Sequence, residues 1–373
     1  MIRHASFKNF KSLRNLQIKL DRLTVFVGPN ASGKSSILQG LDLLCQIFQV
    51  HEGGFPQNPA QMMNQQTSVS TQIASSATRG TKDPPEIAGE VGDKWFRYCK
   101  TPEKTSNQAN FAVRPTPQNP PSDGREVTTH PIGSSVWAPW RVQNNTISPL
   151  PSSVLLRLET SKLVQATSIQ GGLVQAGPAT MAPDGTGLHS ALASMALNDP
   201  DSWNRLQVDL KSIITSIRRL RFTKTTVPNQ VNSLLFDTIG ADDLQASQVS
   251  EGTLLVLGLL AALHAENRPS LVLLDDLDRG LHPKAQKELI SLLRGLLESN
   301  QDLQILATTH SPYLLDSLSP SEVRMTFTLS DGQAVCAPLA QHPQFDKWKE
   351  EMSPGEMWSM FGEGWLASKG GVV

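Results

Sequence analysis

Cysteine and net charge are both scarce in this sequence. Among 373 residues there are 3 cysteines, and 33 basic side chains face 34 acidic ones for a net charge of −1. Cys45, Cys99 and Cys336 stand too far apart for metal-ligand spacing, and so odd and sparse a count suits a reducing cytosol. Balanced charge excludes a globally basic nucleic-acid binder, so any such surface is local. Long apolar runs are missing as well. The longest, which begins at Thr253, stops in charged residues well short of the ~20 that a membrane helix needs. The opening MIRHASFKNFKSL has no apolar core of signal-peptide length. The expectation is a soluble, cytoplasmic chain with no membrane partner. Core size is not limiting, because a chain of this length buries roughly 75% of its unfolded surface.

What is present is punctuated by one short motif. GPNASGKSS, residues 28–36, follows the apolar run LTVFV and has the spacing G-x-x-x-x-G-K-S. Such a loop cradles phosphate when a strand enters it and a helix leaves it. Leu23 to Val27 reads as a buried strand, and Ile37, Leu38, Leu41, Leu44, Cys45 and Phe48 recur at helical spacing. Gly28, Pro29, Asn30, Ala31, Ser32, Gly33, Lys34, Ser35 and Ser36 are therefore the expected nucleotide-binding residues. Glycines let backbone N–H groups approach phosphate oxygens, and the helix from about Gly33 adds its positive end. Lys34 is expected at the β- and γ-phosphates, and Ser35 on Mg²⁺.

The chain then changes character. Between Pro56 and Pro151 lie 13 of the 25 prolines. Strand-like islands, EIAGEVG, KWFRYCK, NFAVRP and SVLLRLE, interrupt this stretch. It reads as a loop-rich β insertion with mobile segments near 56–83 and 100–150. Globular character returns near Leu155. Asp199 to Ile217 is amphipathic at helical period, LLFDTIG is strand-like, and a buried helix follows VSEGT. SLVLLDD and LQILATTHS read as buried strands, with the amphipathic helix HPKAQKELISLLRGLLES between them. Alternation of apolar strands and amphipathic helices predicts a parallel sheet covered on both faces. The expected organisation is 1–50, the first part of a nucleotide-binding head; 51–153, the insertion; 154–335, the rest of the head; and 336–373, a tail packing on it.

A phosphate cradle needs a metal partner and a group that activates water. LVLLDDLD, residues 271–278, ends an apolar strand in carboxylates. Asp275 is the expected Mg²⁺ carboxylate, and Asp276 the general base or water-orienting group. The plainer reading, acidic caps on the next helix, is outweighed by the phosphate loop. His310 closes the strand QILATTH, at the sheet edge where ligands sit in open α/β folds.

Together these segments resemble the ABC-type ATPase heads of the RecF, SMC and OLD-like group, and more narrowly the small bacterial AAA family ATPases. FKNFKSLRNLQIKLDRLTVFVGPNASGKSSIL is similar to their start, LLDDLDRGLHP to their Walker B and D-loop, and ATTHSPYLLD to their switch-histidine segment. VSEGT looks like a shortened ABC signature, and SPGEMWSMFGEGWL is similar to the tail of the small ATPases. The resemblance implies an α/β P-loop NTPase fold: an ABC-type head whose mostly parallel sheet is flanked by helices and carries the loop-rich β insertion. It implies two ATP molecules, with Mg²⁺, held between two head-to-tail protomers. Ser250 and Gly252 would then contact the γ-phosphate of the partner's nucleotide, Asp278 would lie in the D-loop at that interface, and Lys34, Asp276 and His310 would carry hydrolysis.

Departures from the pattern are specific. Asp276 stands where Glu is usual, about 1.5 Å shorter in reach, which predicts slow turnover. Leu277 replaces the usual proline, and the signature lacks the full L-S-G-G-Q. For the glutamine that usually follows the insertion's first strand, Gln72, Gln108 and Gln143 remain open candidates.

The insertion has too many prolines and no heptads for an SMC-type coiled coil. Only 63 residues follow His310, too few for a Toprim domain. The expectation is thus an ATPase acting as sensor or regulator in bacterial DNA repair or anti-phage defence, with a separately encoded effector such as a Toprim-type nuclease. The rivals are an ATP-dependent assembly module with little turnover and a transporter nucleotide-binding subunit. SIRRLRFTK, with Arg218, Arg219, Arg221 and Lys224, is a candidate DNA contact; its plainer reading is a solvated helix end. Trp358 and Trp365 are expected to pack rather than stack on bases.

Overall fold

The computed structural model describes residues 1–52, 78, 85–91, 94–100, 109–115, 130–131, 152–165, 180–222 and 234–368. The chain starts with a hairpin, β1 (Ile2–Phe10) and β2 (Leu13–Lys19), followed by β3 (Leu23–Val27) and helix α1 (Lys34–Glu52). Next come β4 (Glu86–Val91), β5 (Lys94–Lys100), β6 (Ala109–Pro115), β7 (His130–Pro131) and β8 (Ser153–Leu156). Helices α2 (Leu188–Asn198) and α3 (Pro200–Ile213) lead to β9 (Ile217–Phe222), β10 (Leu234–Thr238) and β11 (Ala241–Gln245). The remainder is α4 (Glu251–Leu263), β12 (Leu271–Leu274), α5 (Pro283–Ser299), β13 (Gln304–Thr309), β14 (Val323–Thr328), β15 (Ala334–Pro338) and α6 (Pro354–Phe361).

The head sheet has the order β15-β14-β3-β13-β12-β8. All its pairings are parallel except the β14–β15 edge. β3, β12 and β13 are buried along their whole length, as strands covered on both faces must be. Alternation assigns the faces. Val25, Val27, Val272, Leu274, Ile305 and Ala307 join the core with α3, α4 and α5, while Phe26, Leu271, Leu273 and Leu306 join Ile37, Leu38, Leu41 and Leu44 of α1 and Phe7, Phe10 and Leu13 of the hairpin. Trp358 and Trp365 pack against the first of these cores.

A second, antiparallel sheet has the order β2-β1-β4-β5-β6-β7. Ile87 of β4 lies opposite Phe7 of β1, so the first strand of the expected insertion extends the N-terminal hairpin. The stretches expected to be mobile, 56–83 and 100–150, lie outside the described residues except for Thr78, Lys100, Ala109–Pro115 and His130–Pro131.

The basic segment departs from expectation. Asp199 caps α3 by accepting from the Ser202 N–H at 3.0 Å, but the helix stops at Ile213. Residues 217–222 then form β9 of a three-stranded sheet, order β11-β10-β9. Its arginines are spoken for. Arg221 holds Asp237 at 2.7 Å and Asp243 at 2.6 Å, Arg219 reaches Asp237 at 3.3 Å, and Arg218 pairs with Asp242 at 2.5 Å. The Arg221 guanidinium keeps the Asp237 carboxyl well below the usual carboxylate range. These arginines pair within the sheet, and the segment is a strand, not a solvated helix end. Lys224 lies outside the described residues.

Candidate functional site

The loop between β3 and α1 wraps tightly against β14. Gly28 sits at φ 154°, and a Cβ there would lie 2.2 Å from the Thr326 carbonyl oxygen, so no side chain fits. Thr326 Oγ1 donates to the Val27 carbonyl at 3.1 Å and shares a hydrogen bond with Ser32 Oγ at 2.6 Å. Thr328 Oγ1 donates to the Ala31 carbonyl at 3.0 Å. Pro29, Asn30, Ala31 and Ser35 are exposed, Ser36 is half-buried, and Ser32, Gly33 and Lys34 are buried. Lys34 Nζ donates to the Gly28 and Pro29 carbonyls at 2.8 and 2.9 Å. Burial lowers its pKa, and the Asp276 and Asp275 carboxylates oppose that shift. The ammonium thus stays among the loop's own carbonyls, within the rim to which those carboxylates belong.

The opposite wall of the site is the carboxyl end of β12. Asp275 Oδ1 accepts from Ser35 Oγ at 3.0 Å and from Thr308 Oγ1 at 2.9 Å. The same threonine hydroxyl accepts the Asp276 N–H at 2.8 Å. Asp276 turns into the left-handed region, φ 56°, where Asp is tolerated far better than a longer side chain. That backbone gives a local reason for Asp where the resemblance expects Glu. Its carboxyl is raised above the usual range, first by burial and then by Asp275. His310 Nε2 stands 4.0 Å from Asp276 Oδ1. Asp278 Oδ1 accepts from Thr309 Oγ1 at 2.6 Å and from the His310 N–H at 3.1 Å, holding the end of β13. The structure therefore brings Lys34, Ser35, Asp275, Asp276, Asp278 and His310 to one rim.

Ser250 and Gly252 are placed elsewhere. Ser250 caps α4, its Oγ accepting the Thr253 N–H at 3.3 Å. A Cβ on Gly252 would lie 2.2 Å from the Gly280 carbonyl oxygen, so this glycine lets α4 sit directly on the turn after β12. Arg279 of that turn pairs with Glu251 at 3.1 Å. Among the described residues, no recorded hydrogen bond links Ser250 or Gly252 to residues 28–36.

Sequence reasoning missed four residues. Thr326 and Thr328 brace the loop from almost 300 positions away, and nothing local marks them. Thr308 was visible inside ATTH but carried no motif role. The fourth is Arg157. Gln72, Gln108 and Gln143 lie outside the described residues. The strand beside β12 is β8, with Leu156 opposite Leu274, and the residue that follows it is Arg157. Its Nε lies 3.5 Å from Asp275 Oδ2. The expected metal donors, Ser35 and Asp275, supply one hydroxyl and one carboxylate; among the described residues, no cluster of three or more His, Cys, Asp or Glu could hold a metal.

Comparison with known proteins agrees with this fold. Residues 187–316 match the family described as "AAA domain, putative AbiEii toxin, Type IV TA system", and residues 1–84 match the family described as "AAA ATPase domain". A solved SMC head bound to the C-winged helix domain of ScpA superposes with a TM-score of 0.54 at 14% identity, covering 92% of this chain and 99% of that one. The chain resembles the ABC-type ATPase heads of the RecF, SMC and OLD-like group. This head is also 24% identical over 351 residues to the OLD nuclease of Thermus scotoductus, covering 85% of this chain. It spans 60% of that relative's length. Among the described residues, no helix of the head is long and apolar enough to cross a membrane.

Proposed function

We propose that this head binds and hydrolyses ATP with Mg²⁺ and that ATP joins two copies head to tail. One observation carries the reading: the Lys34–Ser35 end of the phosphate loop and the Asp275–Asp276 end of β12 meet across a 3.0 Å hydrogen bond, with His310 beside them. The residues present fit the nucleotide: Gly28 lets the loop lie directly on Thr326 of β14, and the loop opens a helix whose N–H groups favour anions. They also fit a hard divalent cation, since Ser35 and Asp275 offer oxygen. When bound, Mg²⁺ would supply charge neutralisation at the β- and γ-phosphate oxygens.

The chain's own residues do the rest. Lys34 leaves the loop carbonyls for phosphate oxygens. Asp276 orients the attacking water and accepts its proton, a role suited by a carboxyl whose pKa is lifted by burial and by Asp275. His310 senses the terminal phosphate next to Asp276. Ser250 and Gly252, which serve no contact to their own loop, face the partner's nucleotide, and Gly280 ties that helix end to the turn holding Asp278. The OLD nuclease relative supports a place beside nuclease chemistry. We assign the head a sensor or regulator role in bacterial DNA repair or phage defence with a separate effector. Asp276 in place of Glu favours slow turnover, so an assembly module held by ATP is the second reading.

Multiple-turnover phosphate release separates the two. Lys34→Ala is expected to abolish release and ATP-dependent dimerisation, and Asp276→Asn to accumulate an ATP-bound dimer in light scattering. Unchanged release in Lys34→Ala overturns the assignment.

A further inference from the structure

We infer that Arg157 is a cation built into the triphosphate site, which competes with the divalent metal for Asp275 and offers the nucleotide positive charge without metal. This rests on the ATP-binding reading above. The placement follows from topology. β8 and β12 run parallel with Leu156 opposite Leu274, and the Asp275 N–H donates to the Leu156 carbonyl at 3.3 Å. The next residue on each strand, Arg157 and Asp275, therefore emerges at the same rim. The Arg157 N–H donates to the Pro183 carbonyl at 2.9 Å, which fixes where the side chain starts.

The two oxygens of Asp275 are divided. Oδ1 takes the hydroxyls of Ser35 and Thr308, and Oδ2 faces the guanidinium Nε at 3.5 Å. The side expected to meet metal is thus shared between a metal-type donor set and a permanent cation. This pair is not a sealed structural ion pair. Arg157 is 44% exposed, and a contact so open to water contributes little, so it parts easily. A guanidinium cannot lose its proton, so this position carries permanent positive charge beside the triphosphate. Where a neutral amide would only ligate, this position repels a dication and attracts a triphosphate.

The experiment measures binding of a fluorescent ATP analogue to the full chain, in EDTA and across a Mg²⁺ titration, for wild type, Arg157→Gln and Arg157→Lys. Wild type is expected to retain binding in EDTA. Arg157→Gln should lose about tenfold of that metal-free affinity, a change of ~1.4 kcal/mol. Its half-saturating Mg²⁺ should fall by a similar factor, while Arg157→Lys keeps most of the metal-free binding. Thermal midpoints without nucleotide show that each variant is folded; if Arg157→Gln is not, loss of metal-free binding in Arg157→Lys relative to wild type decides against the inference. Equal EDTA binding and equal Mg²⁺ midpoints in wild type and Arg157→Gln overturn it and leave the ATP site standing. No analogue binding by wild type under any condition overturns both.

Discussion

Replacing Thr308 by valine isolates one hydroxyl at the centre of the site. The side chain is fully buried and valine is nearly isosteric, so no cavity opens. Two hydrogen bonds go: the 2.9 Å donation to the Asp275 carboxylate and the 2.8 Å acceptance from the Asp276 N–H. A bond to a charged acceptor is worth ~1.5–3 kcal/mol, and an N–H left without a partner costs ~1–3 kcal/mol. Both belong to one network, so the sum is not additive, and the expected loss is about 2–4 kcal/mol. Thr308→Ser keeps the hydroxyl and removes one buried methyl, about 0.8 kcal/mol. Urea denaturation of the two variants, fitted with a common slope, is the assay. Thr308→Val should unfold at clearly lower urea than Thr308→Ser. A valine variant as stable as the serine variant would refute the claim that this hydroxyl organises the carboxylates.

Two further outcomes are expected. Gly252→Ala gains about 1 kcal/mol of helix propensity but places a Cβ 2.2 Å from backbone oxygen, and overpacking of ~1–3 kcal/mol or more wins; the thermal midpoint should fall, and a rise would contradict the close approach of α4 to Gly280. Asp276→Asn suits the left-handed backbone and removes a carboxylate disfavoured by burial and by Asp275. Because the folded pKa is raised, wild type holds its proton longer than the unfolded chain does, and its stability falls as pH rises from the ordinary carboxylate range through that raised value. The variant's gain, below about 1 kcal/mol at so open a position, should therefore be present at neutral pH and vanish below about pH 4; a gain unchanged across a pH series of melts would show that the carboxyl is not the cause.

Much of the head was legible because its signals are local. Leu23 to Val27 is apolar and bounded by turn residues, and it forms β3 over those five residues. The periodicity after Gly33 is α1, and 283–299 is amphipathic and helical as read. The placement of the carboxylates and His310 at strand ends was legible because each directly follows a short buried run. The misses have different causes. Residues 217–222 bury Ile217 and Leu220 three apart, a spacing that mimics a helix, because a register shift opposite Asp237 and Thr238 breaks the strand's alternation. Arg157 stands beside Asp275 only because β8 joins the sheet next to β12, and strand order is not written in either segment. The fit of Gly252 on Gly280 depends on two turns meeting, which no spacing rule within VSEGT conveys.

The central claim is that one copy's glycine-lined loop and the Asp275–Asp276 rim together hold a magnesium triphosphate. Calorimetric titration of the full chain with a slowly hydrolysed ATP analogue and Mg²⁺ tests it most directly. The account predicts saturable heat at one nucleotide per chain, abolished by Lys34→Ala. No heat in the wild type, or the same isotherm in both, would contradict it.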